Sequence, residues 1–188
     1  MQAVLDRIFQ EPARGQDYLF LRPSPPGRST HLHYDRPFFA RGSERTVTVW
    51  TALGPIPMTD GALAVVEGSN RYDDLINDMK QIDYDSKSSP KVQYTDDSIS
   101  FVRDRGTRFL TADFEPGDLI AFGMTILHGT LDNNSKIGRA RLSCDVRWQP
   151  AADAMDERYV GKNPAGTTGI GYAELNGAKP LTEPWHIR

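Results

Sequence analysis

The sequence has 188 residues, 38% hydrophobic and 25% charged, which suits one globular domain with a sizeable core. A net charge of −3 gives no electrostatic basis for binding nucleic acid or an anionic membrane, no apolar run is long enough to span a bilayer, and a single cysteine excludes an internal disulfide. With no recognisable signal peptide the expectation is a cytoplasmic protein.

Apolar Val4, Leu5, Ile8 and Phe9 recur at helical spacing, so residues 1–10 read as a short packing helix. Asp17 to Arg22 reads as a strand stopped by Pro23, Pro25 and Pro26. The run RSTHLHYDRP follows, and its HLHYD stretch is expected to be a strand. Arg45 to Leu53 is rich in β-branched residues and predicts a central strand with Thr46, Thr48 and Trp50 on one face. Ala62 to Glu67 predicts another, and Asn70 to Met79 a helix capped by Ser69 or Asn70 that buries Leu75, Ile76 and Met79. Residues 83–108 are polar and weakly periodic, and read equally as a solvated loop or a substrate-selecting lid.

Phe109 to Phe114 and Asp118 to Phe122 predict strands around the Glu115-Pro116-Gly117 turn, and Leu127 to Thr130 a short strand carrying His128. Arg139 to Gln149 alternates cleanly, with Leu142, Cys144, Val146 and Trp148 on one face and Arg139, Arg141, Ser143, Asp145 and Arg147 on the other. Cys144, on the apolar face, is expected in the core. From Pro150 onward Gly, Pro, Asn and Thr dominate, suggesting an extended tail with one helical turn near Asp153 to Tyr159. About eight short strands with few helices predict an all-β jelly roll, a cupin-like double-stranded β-helix, as a single domain over 1–188 with its core at about 17–150 and a tail at 151–188.

On a strand, His31, His33 and Asp35 would share a face. Two imidazoles and a carboxylate on one side of a metal, with open positions opposite, are the pattern of non-haem Fe(II) oxygenases. His128, at a strand end before Gly129, is the expected distant ligand, because a glycine there allows close approach to the backbone. Arg139, just beyond the next turn, is placed to hold a carboxylate as a bidentate pair, with Arg141 on the same face as a rival and Thr130 as a hydrogen-bond donor. The GTTGIG run at 166–171 lacks the strand and helix of a phosphate loop, His186 lies in the tail, and no nucleophile elbow is present.

The segments HLHYD (31–35), RGSERTVTVWTALGPIP (41–57), DGALAVVEGSN (60–70) and EPGDLIAFGMTILHGTLDNNSKIGRARLS (115–143) resemble, in order and spacing, the phytanoyl-CoA dioxygenase family of Fe(II)/2-oxoglutarate oxygenases. The resemblance implies His33, Asp35 and His128 as iron ligands, Arg139 and Thr130 as the 2-oxoglutarate anchor, and Trp50 bordering the cosubstrate. His31 has no fixed counterpart, and Arg141 stands where a small or apolar residue is more common. Members of that family carry a longer helical region ahead of the core, so contacts from that region are expected to be missing. The implied activity is hydroxylation of a C–H bond in a small-molecule substrate using Fe(II), 2-oxoglutarate and O2, with release of succinate and CO2. Asp35 favours hydroxylation over halogenation, which replaces the carboxylate by a small residue. The alternatives are a cupin-type metalloenzyme that does not use 2-oxoglutarate, or a jelly-roll binding protein without turnover.

Overall fold

The protein is described by a computed structural model covering residues 1–84, 94–162, 164 and 166. Along the chain, α1 (Gln2–Phe9) is followed by β1 (Ala13–Ser24), β2 (Val47–Ala52), β3 (Leu63–Val66), α2 (Asp73–Lys80), α3 (Ser98–Asp104), β4 (Phe109–Leu110), β5 (Leu119–Gly123), β6 (His128–Thr130) and β7 (Arg141–Pro150). The strands form two antiparallel sheets, ordered β1-β7-β2-β5 and β4-β3-β6. Their inner faces meet where Trp50 and Phe122 of the larger sheet pack with Leu63 of the smaller one and with Ile56 and Phe114. This is the double-stranded β-helix that the alternation of short strands and turns predicts. Among the described residues no helix is long and apolar enough to cross a membrane.

β2 is central because it is β-branched on both faces. Its outward Val49 is covered by Leu5 of α1, while Thr48 and Trp50 point inward at 2% exposure. Residues directly opposite in an antiparallel ladder share a face. Register therefore places Thr48 beside Arg147 and Phe122, and Trp50 beside Asp145 and Ile120. In β7 it is the polar face that turns inward: Arg141, Ser143, Asp145, Arg147 and Gln149 are all buried. The apolar face looks out, with Leu142 40% exposed and Cys144 only half-buried. The expectation of a core cysteine is thus corrected, because β7 lines the polar interior and keeps its apolar alternates outside.

Other elements differ from expectation for local reasons. The HLHYD segment is not a continuous strand. Only His33 bridges to His128, and Pro37 opens a 3-10 turn over Arg36–Phe39. Ser69 does not cap α2, because its hydroxyl accepts from the Leu127 amide at 2.9 Å. α2 starts later, at Asp73, burying Ile76 and Met79. The 83–108 stretch contains α3, capped by the Asp97 carboxylate accepting from the Ser100 amide at 2.9 Å and anchored by buried Val102; residues 85–93 of that stretch lie outside the described residues. Strand pairing at Phe109–Leu110 is shorter than expected, Phe114 forming only a bridge to Ile56. In the tail, the expected turn appears as a 3-10 turn at Glu157–Tyr159, with the Tyr159 hydroxyl donating to the Phe38 carbonyl at 3.0 Å. Most of the 166–171 run and His186 lie outside the described residues.

Candidate metal centre

Leu32 and Tyr34 alternate with His33 and Asp35, and their burial orients the segment. Both enter a cluster with Val66, Ile76, Met79 and Leu127, each of the two at 2% exposure or less. Fully burying side chains of this size stabilises by about 1.5–3 kcal/mol each. The Tyr34 hydroxyl adds a bond to the Ser69 carbonyl at 3.1 Å. With these alternates committed to the core, His33 and Asp35 must face the barrel interior. The His33 and His128 backbones exchange both hydrogen bonds, at 2.9 and 3.0 Å. Such a pair holds its two side chains next to each other on one face, and the imidazole centroids are 4.3 Å apart. Gly129 allows the approach, since a Cβ there would lie 2.6 Å from the Thr30 carbonyl oxygen.

The three side chains converge. Ligand atoms of His33, Asp35 and His128 all lie within 4.8 Å of one another. His33 Nε2 is 3.7 Å and His128 Nε2 3.8 Å from Asp35 Oδ1. Each Nδ1 lies on a backbone carbonyl, His31 at 2.8 Å for His33 and Ile126 at 3.0 Å for His128. A carbonyl only accepts, so each Nδ1 carries a proton and each Nε2 is the ring nitrogen turned inward, the one a divalent metal would take. On Asp35 the division is equally sharp. Oδ2 accepts from Thr48 Oγ1 at 2.5 Å and from Arg147 Nη2 at 2.7 Å, leaving Oδ1 toward the imidazoles.

The electrostatics favour the metal-binding forms of His33 and Asp35. Burial, reinforced by His128, lowers His33 to about 4, so its imidazole is neutral near neutral pH. Burial alone would raise the Asp35 carboxyl, but Arg147, His128, His33 and the Thr48 hydroxyl together hold it well below the usual carboxylate range. Two imidazoles and one carboxylate fit a divalent first-row metal with open positions.

The triad opens onto a cavity bordered by Trp50, Phe122, Thr130 and Arg141, with Arg22 and Asp145 on its wall. Among the described residues, buried Arg141 Nε and Nη1, Ser143 Oγ, Asp145 Oδ1 and Trp50 Nε1 have no hydrogen-bond partner. Such a concentration of unsatisfied buried groups marks a ligand-facing surface rather than a core. Burial, then Arg22, lowers Arg141 to about 10, so it remains cationic at neutral pH.

The structure thus brings together His33, Asp35, His128, Thr130 and Trp50. Thr130 Oγ1 accepts from the Thr30 amide at 2.8 Å. Arg139 is placed elsewhere. It precedes β7, its Nε donates to Asp60 Oδ2 at 2.9 Å, and its side chain is 36% exposed and does not line the cavity. Arg141, the rival anchor, does line it. His31 is exposed and contributes only its carbonyl, to His33. Sequence reasoning assigned no role to Thr48, Asp145 or Arg147. The available signal was a strand whose polar alternates carry paired charges (Asp145, Arg147) rather than solvating residues.

No curated protein sequence matches significantly. The fold superposes on EctD from S. alaskensis in its apoform, at 15% identity and a TM-score of 0.62 over 89% of this chain and 55% of EctD. It also superposes on two nogalamycin-biosynthesis proteins, each at 18% identity over the whole of this chain: the non-heme alpha ketoglutarate dependent epimerase SnoN (TM-score 0.59, 62% of SnoN) and carbocyclase SnoK (TM-score 0.58, 64% of SnoK). The chain therefore spans under two thirds of the length of these proteins, and at such identities the likeness shows the fold alone. The family model for phytanoyl-CoA dioxygenase (PhyH) matches residues 1–141, so the chain belongs to the phytanoyl-CoA dioxygenase family.

Proposed function

We propose that this protein is an Fe(II)- and 2-oxoglutarate-dependent dioxygenase that hydroxylates a C–H bond of a small-molecule substrate. The observation that carries the reading is the convergence of His33 Nε2, His128 Nε2 and Asp35 Oδ1 beside a buried, partly unpaired guanidinium, Arg141. His33, Asp35 and His128 would hold the metal by one face. With iron bound, the oxidative decarboxylation of 2-oxoglutarate to succinate and CO2 by O2 is coupled to hydroxylation of the substrate.

The chain's own contribution is binding, orientation and exclusion of water. Arg141, which keeps buried nitrogens unpartnered among the described residues, is suited to pair the distal carboxylate of the cosubstrate, with the Thr130 hydroxyl beside it. Arg139, engaged by Asp60, would instead brace the turn that leads into β7, where its backbone amide also donates to Ser135 Oγ at 3.2 Å. Trp50 and Phe122 form apolar walls that limit water around the reacting groups. The charges are matched as well. Three guanidiniums (Arg22, Arg141, Arg147) stand against two carboxylates (Asp35, Asp145), a positive excess that a divalent metal enlarges and a dianionic cosubstrate offsets. SnoN has been crystallised with Fe3+ and alpha ketoglutarate and EctD with 2-oxoglutarate, which supports the same pair of ligands here.

The test is anaerobic addition of Fe(II) and 2-oxoglutarate to the folded protein. The weak visible charge-transfer band of the chelate is expected, and admission of air should yield succinate. Iron-loaded protein without the band would favour the metalloenzyme that does not use 2-oxoglutarate.

A further inference from the structure

We propose that Arg147 is a positioning residue for the metal centre: with Thr48 it holds Asp35 by Oδ2, so that the carboxylate meets the metal through Oδ1 alone. The inference rests on the metal-site reading above and goes beyond the ligand set.

Strand pairing ends before Asp35, whose backbone carbonyl accepts from the Phe38 amide at 3.0 Å in the turn. His33 is the last residue of its segment bridged to β6, and Asp35 stands at the entry to the 3-10 turn that follows. Burial of Leu32 and Tyr34 turns Asp35 inward, and side-chain bonds fix how its carboxylate is turned there. Thr48 and Arg147 are direct cross-strand partners on β2 and β7, so their two donors reach Oδ2 as a pair set by sheet register. Arg147 has little freedom to move. Its side chain is 2% exposed, and its guanidinium carbon lies 4.7 Å from the Phe20 ring centroid and 4.5 Å from that of Phe39. Its Nη1 lies 3.5 Å from Asp145 Oδ2, an ion pair without a hydrogen bond, and that oxygen accepts from Arg22 Nε.

A charge ladder, Arg22–Asp145–Arg147–Asp35, thus runs across β1 and β7 and ends on a metal ligand. Burying a guanidinium is costly unless it is paired and fixed, and here the pairing serves the ligand. With Oδ2 committed to two donors, chelation by both oxygens is blocked, which keeps a metal position open for the cosubstrate pair. Ligand partners of this kind set metal affinity and geometry in metalloproteins generally.

The test is titration of the full chain with Co(II), followed by visible absorption, for wild type, Arg147→Lys, Arg147→Met and Thr48→Val, with folding checked by circular dichroism. Arg147→Met should weaken Co(II) binding about 10–100-fold and alter the visible band as the carboxylate turns to bind through both oxygens. Arg147→Lys should restore part of both, and Thr48→Val should move both in the same direction by less. Folded variants with wild-type affinity and an unchanged spectrum would overturn the proposal, even if less stable, since a merely structural role lowers stability without altering the band. If Arg147→Met does not fold, Arg147→Lys and Thr48→Val decide by the same readouts. Wild type that takes up no Co(II) would overturn the metal-site reading itself, and this inference with it.

Discussion

His33 and His128 are joined by two reciprocal backbone hydrogen bonds, at 2.9 and 3.0 Å, and this bridge sets the spacing of the two imidazoles. Gly129 makes the bridge possible. A methyl group there would meet the Thr30 carbonyl oxygen at 2.6 Å and the His31 carbonyl oxygen at 3.2 Å, both backbone atoms that cannot swing aside. Gly129→Ala should therefore destabilise the protein by about 1–3 kcal/mol and weaken divalent metal binding. Urea unfolding and Co(II) titration check both, and wild-type values in each would show that the bridge tolerates widening.

The ligand assignment predicts a contrast among the histidines. His128→Ala should abolish tight stoichiometric Fe(II) binding, whereas His31→Ala should leave it intact, because the exposed His31 engages the site only through its backbone carbonyl. Equilibrium dialysis with Fe(II) under anaerobic conditions distinguishes them. Tight iron retained in His128→Ala would reassign the ligands.

The two arginines before and within β7 should separate in the same way. Removing Arg141 leaves the distal carboxylate of 2-oxoglutarate without its charged partner, a loss of about 1.5–3 kcal/mol, so Arg141→Ala should weaken 2-oxoglutarate binding at least tenfold. Arg139→Ala breaks the contact with Asp60 and should affect folding stability more than cosubstrate affinity. Titration of the charge-transfer band with 2-oxoglutarate gives both constants, and the reverse order would return the anchor to Arg139.

Acid should weaken the metal-free fold through His33. Its folded value, lowered to about 4, lies below the ordinary histidine value of 6.5, so between these the unfolded chain binds the extra proton. Stability from this group is therefore unchanged above about pH 6.5 and falls as pH drops toward 4, by about 3 kcal/mol in all. Urea midpoints measured across that range on wild type and His33→Gln report it. An equally steep fall in the variant would assign the acid sensitivity to other groups.

Much of this protein is legible without coordinates. The strand alternation, the turn residues and the His-x-Asp followed at a distance by His128-Gly129 are local patterns with few structural solutions. The jelly roll and the converging His33, Asp35 and His128 follow from them. What the chain pattern leaves open is which side of a regular alternation faces in. By hydrophobicity, β7 should bury Leu142, Cys144 and Val146. Instead it buries Arg141, Ser143, Asp145 and Arg147, because pairing with Asp35 and Arg22 and exposure to the cavity offset desolvation there. The choice between Arg139 and Arg141 is of the same kind. Both have the right chemistry and parity, and only the folded chain places Asp60 against one and the cavity beside the other. Residue type and spacing determined the fold, which rests on periodicities of the chain itself, and the family resemblance singled out His33, Asp35 and His128, which the fold brings together. Tertiary structure decided that Arg147 grips Asp35 and that Arg141 faces the cavity, since both depend on contacts between distant strands that no local pattern encodes.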